Sequence, residues 1–127
     1  MKRWMGFVMS LMLLSTCSTA PAATVTATWD APGDDGNVGT ATEYDVRYAA
    51  DSLTLIAWIA ATQVSGEPVP SISGTPEIFL FPLSEGTWYV AYQTRDEWFN
   101  WSGISNIVRI EIDDTAPAAG INFNVTR

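Results

Sequence analysis

The chain has no histidine, a single cysteine at Cys17 and, after Lys2, no lysine. Each gap removes a chemistry. Without histidine, a serine or cysteine nucleophile lacks its usual base. With one cysteine the chain closes no disulfide of its own, so a domain built from it rests on its core. Basic residues are also scarce: 6 against 14 acidic, a net charge of −8. Such an acidic surface repels phosphate backbones and anionic lipid, which excludes nucleic acid as an expected partner. The apolar run from Trp4 to Leu14 is too short for a bilayer span, which needs about 20 residues. Nothing in the chain shows the period of a long amphipathic helix.

That apolar run follows Met1-Lys2-Arg3 and leads into the small residues Ser15 to Ala23. A basic head, a short apolar segment and a small-residue exit make residues 1–22 a secretory signal peptide, cut after Ala20-Pro21-Ala22. The product is expected outside the cytoplasm: secreted, periplasmic or at the cell surface. The cut removes Cys17, Lys2 and Arg3, so the 6 basic residues fall to 4 against 14 acidic ones. A second reading starts from Leu14-Ser15-Thr16-Cys17, which resembles a lipobox. Lipidation at Cys17 would then be the one route to a membrane.

Beyond residue 22 the pattern has period two, as in half-buried strands. Val25, Ala27 and Trp29 alternate with threonines. Tyr44, Val46 and Tyr48 alternate with Glu43, Asp45 and Arg47, and Val108, Ile110 and Ile112 with Arg109 and Glu111. The polar set of each is expected to face water. In Gly86 to Asp96, burying Gln93 and Arg95 would be costly, so Trp88, Val90 and Tyr92 are placed inward and Arg95 outward. Pro32 to Asn37, Val64 to Pro76 and Ser84-Glu85-Gly86 carry turn chemistry. Leu53 to Thr62 is ambiguous between an edge strand and a short helical turn, and is taken as an irregular crossing that drops Trp58 onto the core. Short strands with regular turns point to an all-β sandwich or barrel. The expected core is Trp29, Tyr44, Val46, Trp88, Val90, Tyr92 and Ile110.

Several of these segments resemble a bacterial fibronectin type III domain. Trp29-Asp30-Ala31-Pro32-Gly33-Asp34-Asp35-Gly36 is similar to the end of strand B and the B–C loop. Tyr44-Asp45-Val46-Arg47-Tyr48 resembles strand C, and Leu83-Ser84-Glu85-Gly86-Thr87-Trp88-Tyr89 the E–F corner. Asp96-Glu97-Trp98-Phe99-Asn100-Trp101-Ser102 resembles the F–G loop, and Ser105-Asn106-Ile107-Val108 the start of strand G. The resemblance implies an immunoglobulin-like sandwich of two antiparallel sheets over residues 23–114, followed by a tail or linker at 115–127. It departs from the family in three places. Trp88 stands where a corner tyrosine is usual, so any corner hydrogen bond must come from an indole N–H. Phe99 stands where glycine usually precedes the asparagine. Strand A is missing or degenerate, which leaves one edge of strand B open.

Catalytic residues are not expected, and neither are cofactors. The pairs Asp34-Asp35 and Asp113-Asp114 sit in turn sequences where aspartate serves local hydrogen bonding. Asp30, Asp34, Asp35 and Asn37 are weak calcium candidates, because their oxygens crowd around Gly36. The loop aromatics Trp98, Phe99 and Trp101 are the better binding candidates, by stacking on sugar or anchoring a protein. Trp101 is expected to pack back onto the sandwich. The family spacing implies Ile78, Leu80 and Leu83 inward, which turns Phe79 and Phe81 outward as a second apolar patch.

Three functions follow as expectations. The first is a non-catalytic binding or spacer module outside the cytoplasm, with a protein or polysaccharide partner. The second is a carbohydrate-binding module using the loop aromatics. The third is a subunit of a surface or virion assembly, monomeric or weakly self-associating through its open edge. The tail bears on the third, since Ile121, Phe123 and Val125 alternate with Asn122, Asn124 and Thr126. It reads either as the start of a further domain or as a strand that adds to the open edge.

Overall fold

The computed structural model describes residues 22–127; the expected signal-peptide cut and the alternative expectation of lipidation at Cys17 fall in or at the border of the segment outside these residues. Six strands and one short helix follow in order: β1 (Ala22–Asp30), β2 (Glu43–Ala49), α1 (Leu55–Ala60), β3 (Thr62–Gln63), β4 (Pro76–Ser84), β5 (Gly86–Arg95) and β6 (Val108–Ile112). They form two antiparallel sheets, one of order β1-β4 and one of order β3-β2-β5-β6. The fold is an all-β, immunoglobulin-like sandwich.

Alternation decides the faces. β1 meets β4 from Ala22 opposite Ser84 to Asp30 opposite Pro76. Along β4, Glu77, Phe79, Phe81 and Leu83 are buried and the residues between them are exposed. This corrects the expected outward placement of Phe79 and Phe81. Ile78, Leu80 and Leu83 cannot share one face of a regular strand, because 78 and 80 differ in parity from 83. Ile78 and Leu80 are the exposed pair, while Phe79 and Phe81 stack at 5.3 Å inside. Pro76 and Pro82 suit an edge strand, since neither has an N–H for a ladder.

The core between the sheets centres on Val46, Val64, Phe79, Phe81, Leu83 and Ile112. Trp29, Trp88, Val90, Tyr92 and Ile110 pack against it half-buried; of the expected core only Tyr44 and Val46 are fully enclosed. Trp29 stands edge-on to Tyr44 at 5.0 Å and 5.1 Å from Tyr92. The Tyr44 hydroxyl donates to Glu77 Oε1 at 3.2 Å, so a buried acid on β4 is tied to β2. Burial pushes the Tyr44 phenol up to about 12, with the Glu77 charge adding to the rise.

The outer face of the larger sheet is also covered. Thr54 caps α1, its Oγ1 accepting from Ala57 N at 3.2 Å. Trp58 is buried there with Leu53 and Ala91, on the side of the sheet away from β1 and β4. The expected irregular crossing is therefore a short helix, and Trp58 serves a satellite cluster. Asp45 is buried and paired with Arg47 at 2.9 Å, which corrects its expected solvent-facing placement. The Arg47 guanidinium lies 5.1 Å from the Trp58 ring centre and donates to its carbonyl at 3.0 Å.

The corner between β4 and β5 turns at Gly86, whose φ of 139 favours glycine. Trp88 closes it: the indole Nε1 donates to the Ser84 carbonyl at 2.8 Å. The indole bond expected in place of a tyrosine hydroxyl is thus formed.

Candidate binding site

The loop after β5 is built by one carboxylate. Asp96 Oδ1 accepts from the backbone N–H of Trp98 and of Asn100, each at 2.8 Å, and Oδ2 accepts from Asn100 Nδ2 at 2.8 Å. These bonds, led by the Asn100 amide, hold the Asp96 carboxyl below its ordinary value. Serines tie the returning chain to β5: Thr94 N donates to Ser102 Oγ at 3.0 Å, and Tyr92 N to Ser105 Oγ at 3.0 Å. The turn therefore has a defined shape and little freedom.

Phe99 sits at φ 65, a conformation uncommon for a bulky residue. That explains why glycine is usual at this point in the family the loop resembles. Here the strained position carries a phenyl ring that is 73 % exposed, beside Trp98 at 78 %. Trp101 is 44 % exposed, which corrects its expected return into the sandwich. It forms an isolated bridge with Arg95, and that lays it along the flank of the loop instead of under it.

Arg95 was placed outward on its strand and does more there. Its guanidinium lies 4.3 Å from the Phe99 ring centre and 5.8 Å from that of Trp101. It also pairs with Glu43 at 2.7 Å, which fixes its direction. An arginine flanking an aromatic-rich turn was the available signal for this stacking. The same platform thus offers two aromatic faces to solvent, a third at its flank and a cation behind them.

The β1–β2 loop meets this platform. Glu97 lies beside Asp34, and a hydrogen bond between the two carboxyls raises the Asp34 pKa from its ordinary value. Desolvation and the neighbouring acids Asp35 and Asp96 push the same way. The four calcium candidates do not converge. Asp30 lies toward Tyr92, whose phenol is raised first by desolvation and then by the Asp30 charge, and the backbone carbonyl of Asn37 accepts from Ser73 Oγ at 2.7 Å. Among the described residues no three His, Cys, Asp or Glu side chains are arranged to hold a metal ion. No helix of the described chain is long and apolar enough to cross a membrane.

The chain matches no protein-family model, and no solved structure matches it. It is similar to calcium-activated chloride channel regulator 1 of mouse, 31 % identical over 121 residues, covering 80 % of this chain and 13 % of that protein. The human and macaque proteins of the same name are each 31 % identical over 124 residues, covering 80 % of this chain and 14 % of theirs. The chain thus spans about an eighth of the length of the curated relatives it matches.

Proposed function

We propose that this is a non-catalytic binding module of an extracytoplasmic protein, built on a fibronectin type III-like sandwich, with the loop 96–101 as its contact surface. The observation that carries the reading is the pair Trp98 and Phe99, both largely exposed on a turn that Asp96 holds in one shape. Exposed aromatics cost solubility, and a strained backbone at Phe99 costs stability; both are usual where a surface binds. Rigid aromatic anchors lose little entropy when a partner covers them. The similarity to a short stretch of a much longer regulator protein suits a module embedded in larger chains. The order of segments, the Trp88 corner bond and the glycine-like φ at Phe99 support the fibronectin type III assignment.

The sugar-binding form of this reading is favoured by the flat ring faces of Trp98 and Phe99 beside a fixed guanidinium. The test is titration of the protein with a panel of soluble neutral and acidic polysaccharides, followed by tryptophan fluorescence. Binding is expected to shift the emission, and Trp98→Ala and Phe99→Ala are each expected to abolish it with the melting temperature nearly unchanged. Loss of binding and stability together would make the loop structural. No response to any polysaccharide would leave a protein as the partner class.

A further inference from the structure

The sandwich is open along one side. Among the described residues β1 has β4 on one edge and no strand on the other, and β6 is likewise the last strand of its sheet. Between these two free edges lies a groove of about 540 Å³. Val25, Ala27 and Trp29 form one wall, Val108 and Ile110 the other, and Val90 and Tyr92 the floor. The wall residues of β1 are only half-buried, and Val108 is 53 % exposed. The groove therefore leaves core-type side chains wet.

The same chain carries a segment with the matching pattern. In residues 119–127, Ile121, Phe123 and Val125 are each more than three-quarters exposed, and Asn122, Asn124 and Thr126 alternate with them. Asn122 now sits in a bend at φ 58; once extended, these nine residues would match the nine of β1 in length. One face of such a strand is apolar and would fill the groove. The other is polar and would face water beside Thr24, Thr26 and Thr28.

Direction decides whose tail fits. β6 ends at Ile112 opposite Gly86, at the same end of the sandwich where Ala22 meets Ser84. Thr115 stays at that end, donating from Oγ1 to Glu85 Oε1 at 2.6 Å. The molecule's own tail can enter the groove only from there, antiparallel to β6 but parallel to β1, and so cannot extend the β1-β4 sheet as an antiparallel strand. Every strand pair among the described residues is antiparallel. A second copy's tail can enter from the Asp30 end and pair antiparallel, which is the slightly more stable arrangement. Arg127 then arrives at the Ala22 end, where the acids Glu85, Asp113 and Asp114 stand.

We propose that the groove between β1 and β6 takes segment 119–127 of a second copy as an added antiparallel strand on β1, with Ile121, Phe123 and Val125 turned into the core. This is a different surface from the aromatic loop, and the proposal does not depend on that loop's ligand. Reciprocal exchange closes a dimer; one-way insertion gives a chain of copies.

The experiment is light scattering of the full chain after size exclusion, over a range of concentrations. The wild type is expected to gain mass with concentration. Phe123→Asp, at a fully wet position, is expected to fold normally and to need about tenfold or more protein for the same association, a penalty of about 1.4 kcal/mol. Asn124→Ser, on the polar face, is expected to associate like the wild type. A synthetic peptide of residues 118–127 added to the Phe123→Asp protein is expected to slow amide exchange along β1. Trp98→Ala is expected to leave association intact, so failure of the loop reading and failure of this one are distinguishable. A wild type that stays monomeric throughout with no peptide protection overturns the proposal. So does Phe123→Asp associating as strongly as the wild type, the result expected if β1 edges pair with each other.

Discussion

β1 and β4 make up a single two-stranded sheet, each strand nine residues long and each alternating in and out against the same facing sheet. Their inner faces differ all the same. Phe79, Phe81 and Leu83 on β4 are fully buried, whereas Ala23, Val25, Ala27 and Trp29 on β1 are only half-buried. Both strands have one edge without a strand neighbour, so the edge alone does not account for the difference. The loop between β3 and β4 does. Val64 from its start joins the core, and Ser71 N donates to Glu77 Oε1 at 2.7 Å, drawing the loop against β4. Nothing among the described residues covers β1 in the same way. An edge strand is enclosed by whatever crosses its flank, and the inner face feels that cover as much as it feels the opposing sheet.

Four measurements break or sharpen this contrast. Phe81→Ala is expected to cost about 3–5 kcal/mol in denaturant unfolding, a large part of a small domain's stability. Ile78→Ala, on the outer face of the same strand, is expected to stay within about 0.5 kcal/mol; equal costs would dissolve the distinction between the faces. Trp29→Ala is expected to cost less than Phe81→Ala, about 2 kcal/mol, because one side of its ring is already open to the groove. A cost equal to that of Phe81 would mean that β1 is covered in solution.

The third concerns the tie between the sheets at Tyr44. Its folded pKa is raised above the unfolded value of about 10, to about 12. The neutral phenol is therefore the form that the fold favours. Its contribution is fully present below pH about 10 and is lost as pH rises from there through about 12. Unfolding followed across that window is expected to show the loss, and Tyr44→Phe is expected to remove its pH dependence. A smaller loss than at Phe81 or Trp29 is expected at the corner: Trp88→Phe removes the bond to the Ser84 carbonyl and is expected to cost about 1 kcal/mol.

Much of the sandwich was legible because strand alternation is local. Tyr44 and Val46 and the inward set of β5 followed from period and residue type, and that any corner bond would come from the Trp88 indole followed from the fibronectin type III resemblance. The errors came where a side chain's surroundings lie far off in sequence. Asp45 reads as a water-facing residue but is buried against the Arg47 guanidinium, and Trp58 reads as a core residue until the helix places it on the opposite face. Phe79 and Phe81 were misplaced for a different reason: the family spacing was allowed to override parity, and parity is the stronger constraint in a regular strand. At the site, the crowding of Trp98, Phe99 and Trp101 was visible in the sequence. The carboxylate that shapes the turn and the guanidinium behind Phe99 became visible only in space.

By itself, then, the sequence determined the all-β class, the order of the strands and most of the faces, since a two-residue period and turn chemistry are properties of neighbours along the chain. Tertiary structure decided which inward faces are truly enclosed, which acids are buried with partners and how far the loop aromatics stand out from the surface. Those depend on what crosses a flank or an end of the sandwich, and such cover comes from residues 11 to 36 positions away, as with Trp58 over Arg47 and Ser73 against Asn37, where no local pattern records it.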